Sequence, residues 1–507
     1  MVFEVRYTDL AARIGRLETP HGAVETPAFV PVVHPVKQTI SPQFLKKMGF
    51  ELVITNAYIT FKQYGDEARK RGIHDIIGFD GAVMTDSGGY QVLEYGSVEV
   101  EPATMAQFEK DIKSDIPIPL DKPTGYGLPY ELAKEYVGTT LVNCDTTLRT
   151  VGKTDAIWIG PVQGAEHFDL VEHSAKALDD MGFRMMALGS PVELMEAYEF
   201  ATLSRMIARA KKAIPAKPVH LFGAGHPLTI PLAIALGCDT FDSASYMLYA
   251  KDDRYMQPNG TVRLGKLAYL PCQCAVCASY TAGELRALEK DRRMIEVGRH
   301  NLHVLKAEVD ATKQAIMDGR LWEYVMQKAR AHPKMMEAVQ LFAGDEFGYL
   351  AEGTPAFKEK AIFFFDAIDQ HRPEARRYRK LASEFKSHRK SLVLFPEGEV
   401  HPFYSTRGFR ELAKKFPDAQ IATYNPFLGV IPAEISDVFP ASHNVTARTE
   451  RDAVDYPSFV ESLKGFVTKN DFSEIVVVAD SFMKQAVAEA KLKARVEDYS
   501  DHVIERL

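Results

Sequence analysis

The chain has 507 residues, room for about three domains at a prior of roughly 150 residues each, or fewer where one is a barrel of about 250. Hydrophobic residues make up 46% and charged residues 25%, close to the globular average, which argues against extensive disorder. Lys plus Arg number 61 against 68 Asp plus Glu, a formal net charge of −7, so any polyanion must be held by a local basic patch. The first residues, MVFEVRYTDLAARIG, lack the apolar core of a secretory signal, and no run is long enough to span a bilayer. The expected location is the cytoplasm. Five cysteines are too few for a disulfide scaffold, and three of them crowd between positions 272 and 277, which points to a metal.

Along the first half, eight short β-rich runs are spaced by helix-like segments: TPAFVPVV from Thr26, ELVITNAY from Glu51, GAVMTD from Gly81, DIPIPLD from Asp115, AIWIGPVQG from Ala156, RMMALGS from Arg184, PVHLFGAG from Pro218 and DTFDSASY from Asp239. Helix signatures lie between most of them. Ser41 is placed to cap a helix with Pro42 in its first turn, and Pro102 to Ile112 reads as another. Apolar strands buried on both faces and joined by helices require a parallel sheet, and eight of them close naturally into a (β/α)8 TIM barrel; an open doubly wound sheet is the rival. A barrel places working residues where strands end. Asp86 ends the third run, Asp121 the fourth, Gln163 the fifth and Ala187, Leu188 and Gly189 the sixth, while Asp242 lies in the eighth. These polar groups are expected to meet at one mouth.

Three of these positions carry a competing local reading. MTDSGGYQ, Met84 to Gln91, combines a carboxylate with a glycine turn in which Gly88 and Gly89 allow close approach of a flat ligand, but alone it is also an ordinary Asp-Ser turn. Asp242 alone could cap the following segment, and Asp121 precedes a proline turn. Together, three carboxylates and Gln163 offer a nucleophile, a proton carrier and partners for the edge of a base. GAGHP at Gly223 resembles a phosphate loop only weakly and reads better as a strand-to-helix turn. Met185, Met186 and Met247 read as core.

Beyond the barrel, Cys272-x-Cys274-x-x-Cys277 is followed after 22 intervening residues by His300. Three thiolates and an imidazole complete a tetrahedral zinc site with no open position, so the metal is structural; His303 is the competing fourth ligand. A helical pattern follows from Ala282 to about Gln327. The stretch His371 to Lys390 carries a local charge of +6 and reads as a basic helix or linker, a solvated helical face being the plainer reading. SLVLFP from Ser391 and EIVVVAD from Glu474 read as buried strands, with a helix over Tyr456 to Lys469 between them. The expected division is a barrel domain over 1–345 with the zinc site in 272–303, a helical basic linker over 346–390, and a smaller C-terminal α/β domain over 391–507.

Taken together, TDSGGYQ, the LD of IPIPLDKPT, GPVQG, ALGS, FDSASYMLYAKD and the CxCxxC…HN cluster resemble the tRNA-guanine transglycosylases over roughly residues 1 to 345, and FDSASYMLYAKDDRYM with the added C-terminal region resembles the archaeal type. That resemblance implies exchange of guanine-15 in the tRNA D-loop for 7-cyano-7-deazaguanine (preQ0), towards archaeosine, on a TIM barrel with one structural zinc and no redox or nucleotide cofactor. It implies that Asp242 attacks ribose C1′ and Asp86 is the general acid and base; older assignments give the nucleophile role to the position of Asp86, so the two carboxylates are not separated. Ser87, Asp121, Gln163 and the backbone of Ala187, Leu188 and Gly189 would bind the base. A homodimer is expected by analogy. The resemblance also implies a basic surface for tRNA, for which the run His371 to Lys390 is the candidate; the family's usual C-terminal PUA domain is not recognisable, so a separate PUA protein or the remaining surface is expected to hold tRNA. The alternatives left open are a non-catalytic tRNA-binding paralogue, a wobble-position (queuine-type) transglycosylase, and a retaining glycosidase on a similar barrel.

Overall fold

The structure is a computed structural model that describes residues 3–88, 100–398, 400–446 and 454–498. By its internal contacts the chain divides into two units, Met1–Met317 with Leu321–Leu341, and Asp318–Arg320 with Phe342–Leu507.

The first unit opens with an antiparallel meander of β1 (Phe3–Asp9), β2 (Ala12–Thr19) and β3 (Gly22–Thr26). Each of the eight predicted runs then contributes a strand: β4 (Ala28–Pro31), β5 (Leu52–Asn56), β6 (Ala82–Asp86), β7 (Ile116–Pro117), β8 (Ile159–Val162), β9 (Met185–Leu188), β10 (Val219–Leu221) and β11 (Thr240–Ser243). All pair in parallel, as two sheets of order β4-β11-β10-β9-β8 and β5-β6-β7. A parallel bridge joins Val32 to Ile54 on one flank, and on the other the Ile157 N–H donates to the Asp115 carbonyl at 2.8 Å. β7 is only two residues long because Pro117 and Pro119 interrupt it, and proline has no N–H for a ladder. Helices fill the intervals. The helix Pro42–Lys47 starts as expected, with Ser41 Oγ accepting from the Phe44 N–H at 3.2 Å and Pro42 in its first turn.

Side-chain alternation decides which residues share the inner face. Val30, Leu52, Ile54, Ala82, Met84, Ile118, Ile159, Met185 and Ala187 form one buried cluster drawn from several of the eight strands, joined by Leu17 and Val24 of the opening meander. Asp86 has the parity of Ala82 and Met84, and Gln163 that of Ile157 and Ile159. Asp242 lies opposite Val30 and His220 opposite Ala187 in the parallel register. These polar residues therefore continue the inner face at the C-terminal ends of the strands. The hairpin β12 (Arg254–Gln257) and β13 (Gly260–Arg263) and the long helix Lys290–Met317 follow. No helix among the described residues is long and apolar enough to cross a membrane.

In the second unit β14 (Ile362–Phe364) pairs with β18 (Asn444–Thr446), and a five-stranded sheet has the order β17-β16-β15-β19-β20, formed by β15 (Ser391–Pro396), β16 (Ala419–Asn425), β17 (Gly429–Pro432), β19 (Glu474–Ala479) and β20 (Arg495–Asp498). Only β17 runs antiparallel within it. The segment 346–390 is not a linker. Its strand β14 and its helix Pro373–Glu384 are built into this unit, and Ile362, Phe364, Ala375 and Tyr378 join the unit's core. Within the run, Arg372 is buried against Glu374, and Arg376, Arg377 and Arg379 donate to the carbonyls of Ala343, Thr354 and Phe427, while Lys380, Lys386, Arg389 and Lys390 are exposed. Composition counts these charges but cannot see the carbonyls they serve.

Candidate active site

Asp86 closes β6 beside Asn56, its register partner on β5. Its Oδ2 accepts from Asn56 Nδ2 at 3.3 Å and its Oδ1 from the Gly88 N–H at 3.0 Å. Gly88 has φ +103°, a conformation that favours glycine. Ser87 is fully buried, and its Oγ has no hydrogen-bond partner among the described residues. Gly89 to Gln91, the rest of the motif, lie outside the described residues.

Asp121, Gln163 and Gly189 form one connected group. Gln163 Nε2 donates to Asp121 Oδ2 at 2.6 Å, and its Oε1 accepts from the Thr124 N–H at 3.0 Å and from the hydroxyls of Thr124 and Ser190 at 3.1 Å each. Three donors on Oε1 fix the amide orientation, and the second Nε2 hydrogen has no partner among the described residues. Burial first, then the nearby Asp86 charge, push the Asp121 carboxyl up to about 7. Ala187 and Leu188 are buried in β9, and Gly189 passes so close to Gln163 that a Cβ there would sit 2.2 Å from Nε2. Ser190 has φ +61°, a left-handed backbone of the kind concentrated at functional sites.

Asp242 stands on β11 with its side chain 13% exposed. Its Oδ1 accepts from His220 Nε2 at 3.1 Å and from the Gly223 N–H at 3.0 Å. The GAG turn at Gly223 thus serves this carboxylate. Asp121 and Gln163 are joined by a hydrogen bond, Asp86 lies near enough for its charge to act on Asp121, and Asp242 shares the strand-end level and inner face of Asp86 and Gln163. Thr124, Ser190 and His220 were not foreseen. His220 had a legible signal, a polar ring at an inward position of an otherwise apolar strand, whereas Thr124 and Ser190 act only through Gln163, 39 and 27 positions away.

A second constellation lies beyond the strands. The ligand atoms of Cys272, Cys274, Cys277 and His300 all fall within 4.8 Å of one another, so these residues can hold a metal ion. His300 turns Nδ1 towards the Cys274 and Cys277 sulfurs at 3.5 and 3.4 Å, while Nε2 donates to the Met256 carbonyl at 2.8 Å, the outer partner that metal-binding histidines usually have. The Tyr255 ring stacks on His300 at 3.6 Å. A proton shared with Cys277 holds the Cys274 thiol far below its usual range and raises Cys277 in return. His303 is not among the grouped ligands, so the competing fourth-ligand reading falls away among the described residues. Beside His300, Asn301 accepts from the Met256 N–H at 2.9 Å and donates to the Tyr246 carbonyl at 3.1 Å, tying the long helix to β12 and to the helix Ser245–Lys251.

A family model described as queuine tRNA-ribosyltransferase (TGT) matches residues 9–334. The chain is 37% identical over 483 residues to a Sulfolobus acidocaldarius protein named tRNA-guanine(15) transglycosylase, covering 94% of this chain and 95% of that one. It is 39% identical over 456 residues to a Methanosarcina mazei protein of the same name, covering 89% of each. An Aeropyrum pernix protein, again so named, is 40% identical over 452 residues, covering 87% of this chain and 86% of the relative.

Proposed function

The chain belongs to the queuine tRNA-ribosyltransferase (TGT) family, and from that premise we propose that it is a tRNA-guanine(15) transglycosylase that exchanges guanine for preQ0 by double displacement. The observation that carries this reading is the position of Asp86, Gln163 and Asp242 on one inner face at the C-terminal ends of parallel strands, with Asp121 hydrogen-bonded to Gln163. The hydrogen bonds on both flanks of the two sheets support a closed (β/α)8 barrel, whose strand-end loops form the working face.

Breaking an N-glycosidic bond builds oxocarbenium character, which carboxylates stabilise. Asp242 attacks C1′ as the bond to guanine breaks, the electron pair leaving with the base and Asp86 supplying its proton. The incoming base then loses a proton to Asp86 and displaces Asp242 from C1′, restoring the original anomer. Asp121 accepts from the N1 and N2 edge, and Gln163 donates its second Nε2 hydrogen to O6. The Ser87 hydroxyl, unpartnered among the described residues, and the backbone at Ala187, Leu188 and Gly189 line the remainder. Extruding a base from folded tRNA costs a few kcal/mol, which binding along the RNA must offset.

Cys272, Cys274, Cys277 and His300 fit zinc by their donor set and mutual distances. Bound there, the ion is a closed structural centre that supplies no group to the reaction.

The test uses tRNA carrying labelled guanine at position 15 or, separately, at the wobble position. Release on addition of preQ0 is expected from position 15 alone. Release from the wobble position would reassign the substrate, and release from neither would overturn the exchange reading.

A further inference from the structure

Asp242 does not hold its own orientation. His220 is fully buried, with Nε2 3.1 Å from Asp242 Oδ1 and Nδ1 2.9 Å from Thr240 Oγ1. The Phe222 ring packs against it in a T-shaped arrangement, at 4.9 Å between centroids. With the Gly223 N–H also on Oδ1, that oxygen carries two donors, while Oδ2 carries no hydrogen bond among the described residues. The two oxygens of one carboxylate are thereby made different.

Building on the exchange reading, we infer that His220 is a positioning residue that, with its tautomer set by Thr240, selects Oδ2 of Asp242 as the atom that bonds to C1′. The Thr240 hydroxyl donates to Nδ1, which puts the ring hydrogen on Nε2, aimed at Oδ1. Rotation of the carboxylate is blocked and Oδ2 faces the ribose. Once the C1′–Oδ2 bond forms, Oδ1 becomes the ester carbonyl and keeps both donors. When the incoming base nitrogen displaces Oδ2, the electron pair of the C1′–Oδ2 bond returns to the carboxylate, and the His220 and Gly223 N–H groups stabilise that charge as it develops. The arrangement acts most on the second displacement, where Asp242 is the leaving group, much as preorganised donors stabilise other developing oxyanions.

Asn and Gln at position 220 separate this role from packing, because a Gln amide reaches the place of Nε2 and an Asn amide only that of Nδ1. In the guanine-15 exchange assay at saturating preQ0, His220→Asn is expected to lower kcat by about tenfold or more without raising the KM for tRNA, which falls with kcat when breakdown of the adduct limits turnover. The fraction of enzyme found as covalent tRNA adduct in denaturing gels should rise, since breakdown of the adduct is slowed. His220→Gln should keep kcat within about fivefold. Equal losses in the two variants, an undiminished His220→Asn, or a loss carried by KM would overturn the assignment. Should neither variant fold, as read from thermal unfolding, Thr240→Val decides: it keeps volume and leaves the ring in place. A fall in kcat of about threefold or more supports the assignment, and an unchanged kcat overturns it. Wild-type protein that releases no guanine refutes the exchange reading and this inference with it. Wild-type release with indifferent variants refutes this inference alone.

Discussion

Asp121 sits at the boundary of ionisation because burial and the neighbouring Asp86 charge outweigh the Gln163 amide, lifting its carboxyl to about 7. Only the ionised form presents two acceptor oxygens to a purine N1 and N2 edge. kcat/KM for the base should therefore fall as pH drops below about 7, by up to roughly tenfold per unit, and level off above it. Asp121→Asn should lower the plateau and remove that step, which a profile from about pH 5.5 to 8.5 would record. Gly189 offers a second test. A methyl there would meet Gln163 at 2.2 Å, so Gly189→Ala should raise the KM for preQ0 at least tenfold and cost about 1–3 kcal/mol in chemical unfolding. These positions were legible in the sequence because strand ends of a parallel sheet carry the working residues. Thr124 and Ser190 were not, since their partner is another side chain that only the fold brings near.

At the scale of elements, the N-terminal end of β7 is tied to the β2–β3 turn and to the helix Ile73–Ile77 by one buried carboxylate. Asp115 accepts from His21 Nδ1 at 2.7 Å, His74 Nε2 at 2.8 Å and the backbone N–H groups of His21 and Val83. The two rings stack at 3.7 Å between centroids with a 32° tilt, so their nitrogens run side by side, and both oxygens are already supplied with N–H donors. This is a hydrogen-bonded clasp. Burial alone would raise the Asp115 carboxyl, but the bonds from His74, His21 and Val83 bring it below its usual range. A depressed carboxyl stabilises the fold above its unfolded value of about 3.9 and loses that contribution as pH falls through the folded value. Asp115→Asn should therefore flatten the acid limb of the stability curve below about pH 4 and cost about 1–3 kcal/mol at neutrality, because one ring donor is left facing an amide N–H group. Urea midpoints across pH would record both effects. The Cys3His centre was legible from spacing alone, because metal geometry is local; its mechanical effect was not. Cys274→Ser should abolish bound zinc and, with structural zinc contributing on the order of 10 kcal/mol in peptides, expose the amides around Met256 and His300 to hydrogen exchange.

For the whole molecule, alternation of strand and helix revealed the parallel architecture because burial on both faces leaves a continuous apolar signature, and each of the eight runs became a strand. The second unit was harder to delimit. β14 pairs with β18 across some eighty residues, a contact that no local pattern announces, and the basic run between them was therefore read as a linker with an RNA-facing surface. Arg372, Arg376, Arg377 and Arg379 of that run have internal duties. Arg372 and Lys358 both pair with the buried Glu374, at 3.1 and 2.6 Å, and Arg377 and Arg379 donate to the Thr354 and Phe427 carbonyls at 3.1 and 2.7 Å. A guanidinium that already serves buried carbonyls releases few counterions when RNA approaches, whereas its removal orphans those carbonyls at a cost of about 1–3 kcal/mol each. Replacing Arg376, Arg377 and Arg379 by Gln should thus leave the slope of log affinity for tRNA against log salt unchanged while lowering the thermal midpoint of the second unit by several degrees. A slope reduced by about one unit per residue, with stability intact, would return the run to the RNA surface.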